Sequence, residues 1–225
     1  MIEMAFNLEE FDIIDISYTI IPGENPDRPF AIQKALLQDK TYRYDILKTH
    51  SHVGTHVEVG AHFYDDGKTI TDYPLNQFHG PGILFSVREK LITEKICKDT
   101  LEKKIKNGDI IVIRNDTGKK LTKQQLYLGE EGDLPILTPE VARWLAKYKP
   151  KLLVLDNIRL GDSIEEIREF HDILMSQDVC FVEIVDNLEK ITQERFYVMA
   201  LPIKIQHLDS SFCRAIVIQK KDKEI

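Results

Sequence analysis

The chain has 225 residues, 43% of them hydrophobic and 30% charged, a composition that lets a globular protein bury its own core without disulfide or metal staples. Its net charge of -7 is dispersed, and the basic residues recur in short mixed clusters such as KKIKNGD and KKDKE, which argues against nucleic acid as a partner. The longest apolar runs, LLVL and ILFSV, are far too short to cross a bilayer, the N-terminal MIEMAFNLEEFD is acidic where a signal peptide is basic, and Cys97, Cys180 and Cys213 have no CxxC spacing. The expectation is one cytoplasmic domain over residues 1–225, away from membranes, with cysteines that serve packing.

In chain order, β-branched segments predict strands at 11–19, 42–48, 82–88, 109–115, 151–156, 179–185 and 213–219. Helices are predicted between several of them. One opens at Thr93; one runs over TPEVARWLAKYK, with Thr138 at the cap and Pro139 in the first turn; one runs over DSIEEIREFHDILMSQ. From Asp109 onward strands and helices alternate, which predicts an α/β layer with parallel pairing. The N-terminal strands lack intervening helices, so an antiparallel or mixed sheet packed on that layer is expected.

Four of the seven histidines fall in KTHSHVGTHVEVGAH, residues 48–62. Even positions from 52 to 62 carry His, Gly, His, Glu, Gly and His, while 53, 55, 57 and 59 carry Val, Thr, Val and Val. In an extended chain every ligand-type side chain then lies on one face. His52 and His56 would sit roughly 13 Å apart on a straight strand, so they can share one ion only if the chain bends, and Gly54 permits that bend. His56 and Glu58 converge without help. Two imidazoles and a carboxylate suit zinc, manganese or iron and leave positions open for water and substrate. A solvated strand face rich in histidine is the competing reading, and His50 is the rival ligand. A second constellation lies far along the chain. Glu183 interrupts the apolar VCFVEIV, and a buried carboxylate needs a cation, donors or a metal. His171 shares a helical stripe with Ile164, Ile167 and Leu174 and can approach Glu183, as a ligand or as a hydrogen-bonded core pair.

HVGTHVEVGAH resembles the HxGTHxDxPxH signature of the cyclase family of metal-dependent hydrolases, which includes bacterial kynurenine formamidases (arylformamidases) and isatin hydrolases. FDIIDISYTI, HFYDDGKTITDYPLNQFHGPGILFSV and GDIIVIRNDTGK are similar to the family's opening strand, the segment after the signature and the strand ending near a Thr-Gly pair. His171 and Glu183, twelve residues apart, match its second ligand pair. The resemblance implies a compact single α/β domain with mixed sheets and helices, related to swivelling β/β/α layers, in a homo-oligomer, either a dimer or a tetramer. It implies a divalent metal, one or two ions per chain: one on His52, His56 and Glu58 and, where there are two, a second on His171 and Glu183 with Glu58 bridging, and zinc ahead of manganese. His62 would be the catalytic general acid and base. The chain departs from the family at Glu58 for Asp, at Gly60 for Pro, and at QHLDSSFCR for a Gly-x-Asp-Gly-Ser-Pro-type loop.

The function expected is hydrolysis of an amide or cyclic amide, formamide-like or lactam-like, in a small-molecule substrate. One alternative is a metal-binding protein without hydrolase activity. Another is a serine hydrolase using Ser210 or Ser211 with His207 and Asp209, which lacks a GxSxG-type elbow.

Overall fold

The computed structural model describes residues 8–25, 28–122, 125 and 132–221. The chain folds as a mixed α/β structure around one large sheet. Its strands are β1 (Phe11–Asp15), β4 (His56–Glu58), β5 (His79–Val87), β7 (Ile110–Asn115), β9 (Leu152–Asp156), β10 (Cys180–Glu183), β11 (Arg195–Pro202) and β12 (Ser210–Lys220). They run in the order β1-β12-β11-β5-β7-β9-β10-β4, and β4 also pairs with β12, so the sheet closes into a barrel-like ring with β1 extending it. A separate hairpin joins β2 (Ala31–Leu36) to β3 (Tyr42–Lys48), and the short β6 (Leu91–Ile92) and β8 (Ile136–Leu137) pair with each other.

β5, β7, β9 and β10 are parallel, as strand-helix alternation requires. Helices α1 (Glu94–Leu101), α2 (Pro139–Ala146) and α3 (Ile164–Met175) lie in the connections between them. Period-two alternation sorts the central strands between two cores. Ile111 and Ile113, Leu153 and Leu155, and Phe181 face the helices, where they meet Leu101, Trp144, Phe170 and Leu174. Ile110 and Val112, Leu152 and Val154, and Cys180 and Val182 face the barrel interior with Val57, Val59, Val198 and Val217. Both faces of these strands are thus apolar, which is why their sequences read as near-continuous hydrophobic runs.

Several expectations shift. The first strand ends at Asp15 and the first helix at Leu101, short of the predicted ends. Neither Thr93 nor Thr138 makes a side-chain cap bond, whereas Ser163 accepts from the Glu166 N–H at 3.2 Å. β1 and β4 belong to the main sheet rather than to a second sheet packed on it, because β12 is long enough to pair with both. β2 and β11 were not predicted. β2 exposes most of both faces and carries no periodic signal, while β11 buries Phe196, Val198 and Ala200 at alternate positions, a pattern that sequence alone could have revealed. Among the described residues no helix is long and apolar enough to cross a membrane.

Candidate metal centre

The histidine-rich stretch is only partly extended. A turn occupies 51–54, β4 covers three residues, and Gly60–His62 form a 3-10 turn. Gly54 makes the predicted bend: its φ is +65°, and a Cβ there would lie 2.4 Å from Ile20 Cγ1, so both conformation and space demand glycine. The bend brings the His52 and His56 rings to 5.0 Å between centroids. His62 returns to the same place through the 3-10 turn, its ring centroid 4.4 Å from that of His52.

Sheet register supplies the far side. Val57 and Val59 point into the barrel, so His56 and Glu58 point outward, towards α3. β10 runs antiparallel beside β4 with Glu183 opposite His56 and Phe181 opposite Glu58, and cross-strand neighbours sit about 4.5–5.5 Å apart at Cβ. His56 Nε2 is 3.8 Å from Glu183 Oε2. His171 descends from α3 between two aromatic rings, stacked on Phe63 at 4.5 Å and on Phe181 at 4.9 Å. Ile164, expected on the same inner stripe, is 82% exposed; the buried stripe is Phe170, His171, Leu174 and Met175, so only the later turns pack.

The strand ends at a strained residue. Ile184 has φ +56°, a conformation that is an outlier for a β-branched residue and that clusters at functional sites. It is pinned by Thr55, whose Oγ1 donates to the Ile184 carbonyl at 2.6 Å and accepts the Tyr18 N–H at 2.7 Å. The threonine of the HVGTH stretch thereby ties the first part of the centre to the second. Beside Glu183, a crevice of about 100 Å³ lies among Leu155, Asp156, Ile158, Leu160 and Ile184.

The hydrogen bonds leave the centre rich in lone pairs. His56 Nδ1 lies 2.9 Å from the Gly54 carbonyl and His171 Nδ1 2.6 Å from the Ile167 carbonyl. A carbonyl only accepts, so both Nδ1 atoms carry the proton and both Nε2 atoms present a lone pair. His56 Nε2 and Glu58 Oε1 are buried without a hydrogen-bond partner. Ligand atoms come within 4.8 Å of one another in three overlapping groups: His52, His56 and Glu58; Glu58, His171 and Glu183; and His52, His62 and Asp209. The five residues expected as ligands therefore converge, with Glu58 common to the first two groups, and His62 stands beside them. His50 does not join; its Nδ1 accepts the His52 N–H at 3.2 Å.

Burial and charge pull the titratable groups apart. Burial pushes His56 down to about 4 and draws His171 below its ordinary value, the Ile167 carbonyl only partly opposing it. Burial also lowers His52, but hydrogen bonds to Glu58 and Asp209 outweigh it and leave the imidazole above its ordinary value. For the two carboxylates burial acts upward. Glu183 rises to about 7 with the Glu58 charge adding to the effect, although 29% of its side chain remains exposed. Glu58 ends below its ordinary value because His52, His62 and His171 surround it. Charge thus concentrates on Glu58, the central carboxylate.

Sequence reasoning did not place Asp209 in this centre, since a single Asp in a loop has no periodic signal. Its carboxylate reaches His52, His62 and Ser51. That removes the serine-hydrolase alternative: Asp209 faces these residues, Ser211 Oγ donates to the Ile203 carbonyl at 2.9 Å, and Ser210 is fully buried.

The profile of the cyclase family matches residues 14–161. Kynurenine formamidase of Erythrobacter litoralis is 23% identical over 217 residues, covering 93% of this chain and 95% of its own. In fold, isatin hydrolase A from Labrenzia aggregata, solved with benzyl benzoate, superposes with a TM-score of 0.75 at 18% identity, covering 95% of each chain. A structure described as a potential metal-dependent hydrolase with cyclase activity superposes with a TM-score of 0.68 at 20% identity, covering 94% of this chain and 100% of its own.

Proposed function

The chain belongs to the cyclase family, and from that premise and the geometry of its polar cluster we propose that it is a metal-dependent hydrolase of amide C–N bonds outside peptides. The substrate is a small molecule carrying a formamide-like or lactam-like group. The observation that carries this reading is the pair of buried, unpartnered atoms His56 Nε2 and Glu58 Oε1. A buried acceptor without a partner costs about 1–3 kcal/mol; two of them facing one cluster of imidazoles and carboxylates are relieved together by a cation. His52, His56 and Glu58 would hold one ion, and Glu58, His171 and Glu183 a second. This nitrogen and oxygen donor set favours zinc, with manganese next.

When bound, such a cation polarises the substrate carbonyl and lowers the pKa of water from 15.7 to about 7. His62, 39% exposed with Nε2 3.6 Å from Glu58 Oε2, borders the cluster where substrate and water arrive. It takes a proton from the attacking water and returns one to the departing nitrogen as the C–N bond breaks, giving a carboxylic acid and an amine. The crevice beside Glu183, lined by Leu155, Ile158 and Ile184, supports binding of a small substrate next to the expected ligands.

The whole chain acts as one domain over 1–225 and assembles as a homo-oligomer, a dimer or a tetramer. The projecting β2–β3 hairpin supports assembly, with Leu36 66%, Tyr42 61% and Leu47 59% exposed. Three free cysteines, Cys97, Cys180 and Cys213, fit a cytoplasmic location. Metal analysis of protein purified without chelators, followed by assay on N-formyl anilines, lactams and cyclic imides, tests the reading. Two equivalents of metal with turnover are expected. Metal without turnover would leave a binding protein, and absence of metal would overturn the proposal.

A further inference from the structure

Asp209 immediately precedes β12, where its own carbonyl accepts the Val59 N–H at 3.0 Å and the next residue, Ser210, is registered opposite Glu58. Its backbone is therefore fixed to the strand that carries two of the expected ligands. One carboxylate oxygen, Oδ1, accepts from Ser51 Oγ at 3.0 Å. The other, Oδ2, meets His52 Nε2 at 2.8 Å and His62 Nδ1 at 2.9 Å.

We infer that Asp209 is a positioning residue that orients His52 and His62 through a single oxygen, and so ties metal retention to proton transfer. Each ring lies between two carboxylates, and Asp209 is the nearer, at 2.8 Å against 3.3 Å from Glu58 for His52 and 2.9 Å against 3.6 Å for His62, so the first proton of each ring stands on His52 Nε2 and on His62 Nδ1. The opposite nitrogens then carry the lone pairs, and both are aimed at Glu58 Oε2, His52 Nδ1 from 3.3 Å and His62 Nε2 from 3.6 Å. In the metal-free protein a second proton on His52 Nδ1 bonds the Glu58 carboxylate at that separation, and a cation between the two would take that proton's place. Ser51 prevents the Asp209 carboxylate from rotating away. A displacement of Oδ2 would turn both rings at once, which distinguishes this carboxylate from an acceptor serving one ligand.

The catalytic half of this inference rests on the hydrolase reading; the half that concerns metal and tautomer does not. The test compares the full-length wild type with Asp209→Ala, Asp209→Asn, His62→Ala and the double variant Asp209→Ala/His62→Ala. Zinc affinity is read by competition with a chromophoric chelator, and ring tautomers by 15N spectra of the zinc-free protein. Asp209→Ala is expected to weaken zinc by about 10–100-fold and to leave His62 a mixture of tautomers, where the wild type has the proton on Nδ1. It should lower kcat with KM little changed, and the double variant should be no more than about twofold slower than His62→Ala, because the two residues act as one unit. Asp209→Asn, whose amide oxygen can still accept from both rings but which carries no charge and turns an NH2 group towards Ser51, should fall between wild type and Asp209→Ala, and it serves as the comparison if the alanine variant does not fold. Unchanged zinc affinity with unchanged tautomers, or rate losses that multiply in the double variant, would overturn the inference. A wild type that binds zinc and keeps these tautomers but hydrolyses nothing would sink the hydrolase reading and leave the positioning of His52 and His62 standing.

Discussion

The two faces of β4 put opposite demands on one three-residue strand. Val57, and Val59 just beyond the strand, enter the barrel interior fully buried, and each such side chain contributes roughly 1.5–3 kcal/mol by leaving water. His56 and Glu58 are nearly as buried, at 0% and 4% exposed, yet they bring unpartnered polar atoms out of water. The apolar face stabilises the metal-free protein and the polar face strains it. The lesson is that a centre of this kind is held open by its neighbours: the barrel interior on one side and the α3 core on the other keep β4 and β10 in register while their ligands repel.

The largest effect should follow removal of what the polar face is built to hold. Chelation with EDTA is expected to abolish amide hydrolysis, and zinc or manganese to restore it; full activity in chelator would detach the metal from the reaction. Next, His62→Ala should slow turnover by about 10²–10⁴-fold, the usual worth of general acid-base catalysis, while metal analysis finds the ions retained. Loss of metal in that variant would make His62 a ligand.

The apolar face is broken separately. Ile110→Ala, deep in the barrel interior, should cost about 2–5 kcal/mol in urea unfolding without changing metal stoichiometry. A comparable drop in bound metal would show that the two faces are not independent. The pH dependence of the metal-free protein sharpens the contrast. His56, pushed down to about 4 by burial, binds its proton more weakly in the folded than in the unfolded chain. Its contribution is therefore complete above pH 6.5 and is lost as pH falls towards 4, a few kcal/mol in all. Chemical unfolding of chelated protein across that range measures it, and a His56→Gln variant should flatten the slope.

The smallest expected effect separates two glycines. Gly23 and Gly54 both have positive φ, but only Gly54 faces a neighbour closer than 4 Å. Gly23→Ala should cost about 1–2 kcal/mol for conformation, and Gly54→Ala a further 1–3 kcal/mol for the clash with Ile20. Thermal unfolding distinguishes them, and equal losses would mean that Ile20 simply moves aside.

Much of the centre was legible because its chemistry is local. Within residues 52–62 the spacing shows that His52 and His56 can share an ion only if the chain bends between them, which Gly54 permits, and φ there is +65°. The central strands and all three described helices were also legible, since each carries an apolar period. Ile164 misled because helical phase assigns a face without saying where along the helix packing stops. β2 escaped because a hairpin exposed on both sides has no face to encode.

By itself, the sequence determined which residues can act as ligands, that Glu183 is a carboxylate in an apolar strand, and that His52 and His56 can meet only around a turn. These are properties of residue type and chain geometry at short range. Tertiary structure alone decided that β4 lies between β10 and β12, and with that register that Glu183 stands opposite His56 and that Asp209, 157 residues from His52, joins it. Pairing across a sheet is chosen by which edges close the barrel, and no periodicity within a segment records what will lie beside it.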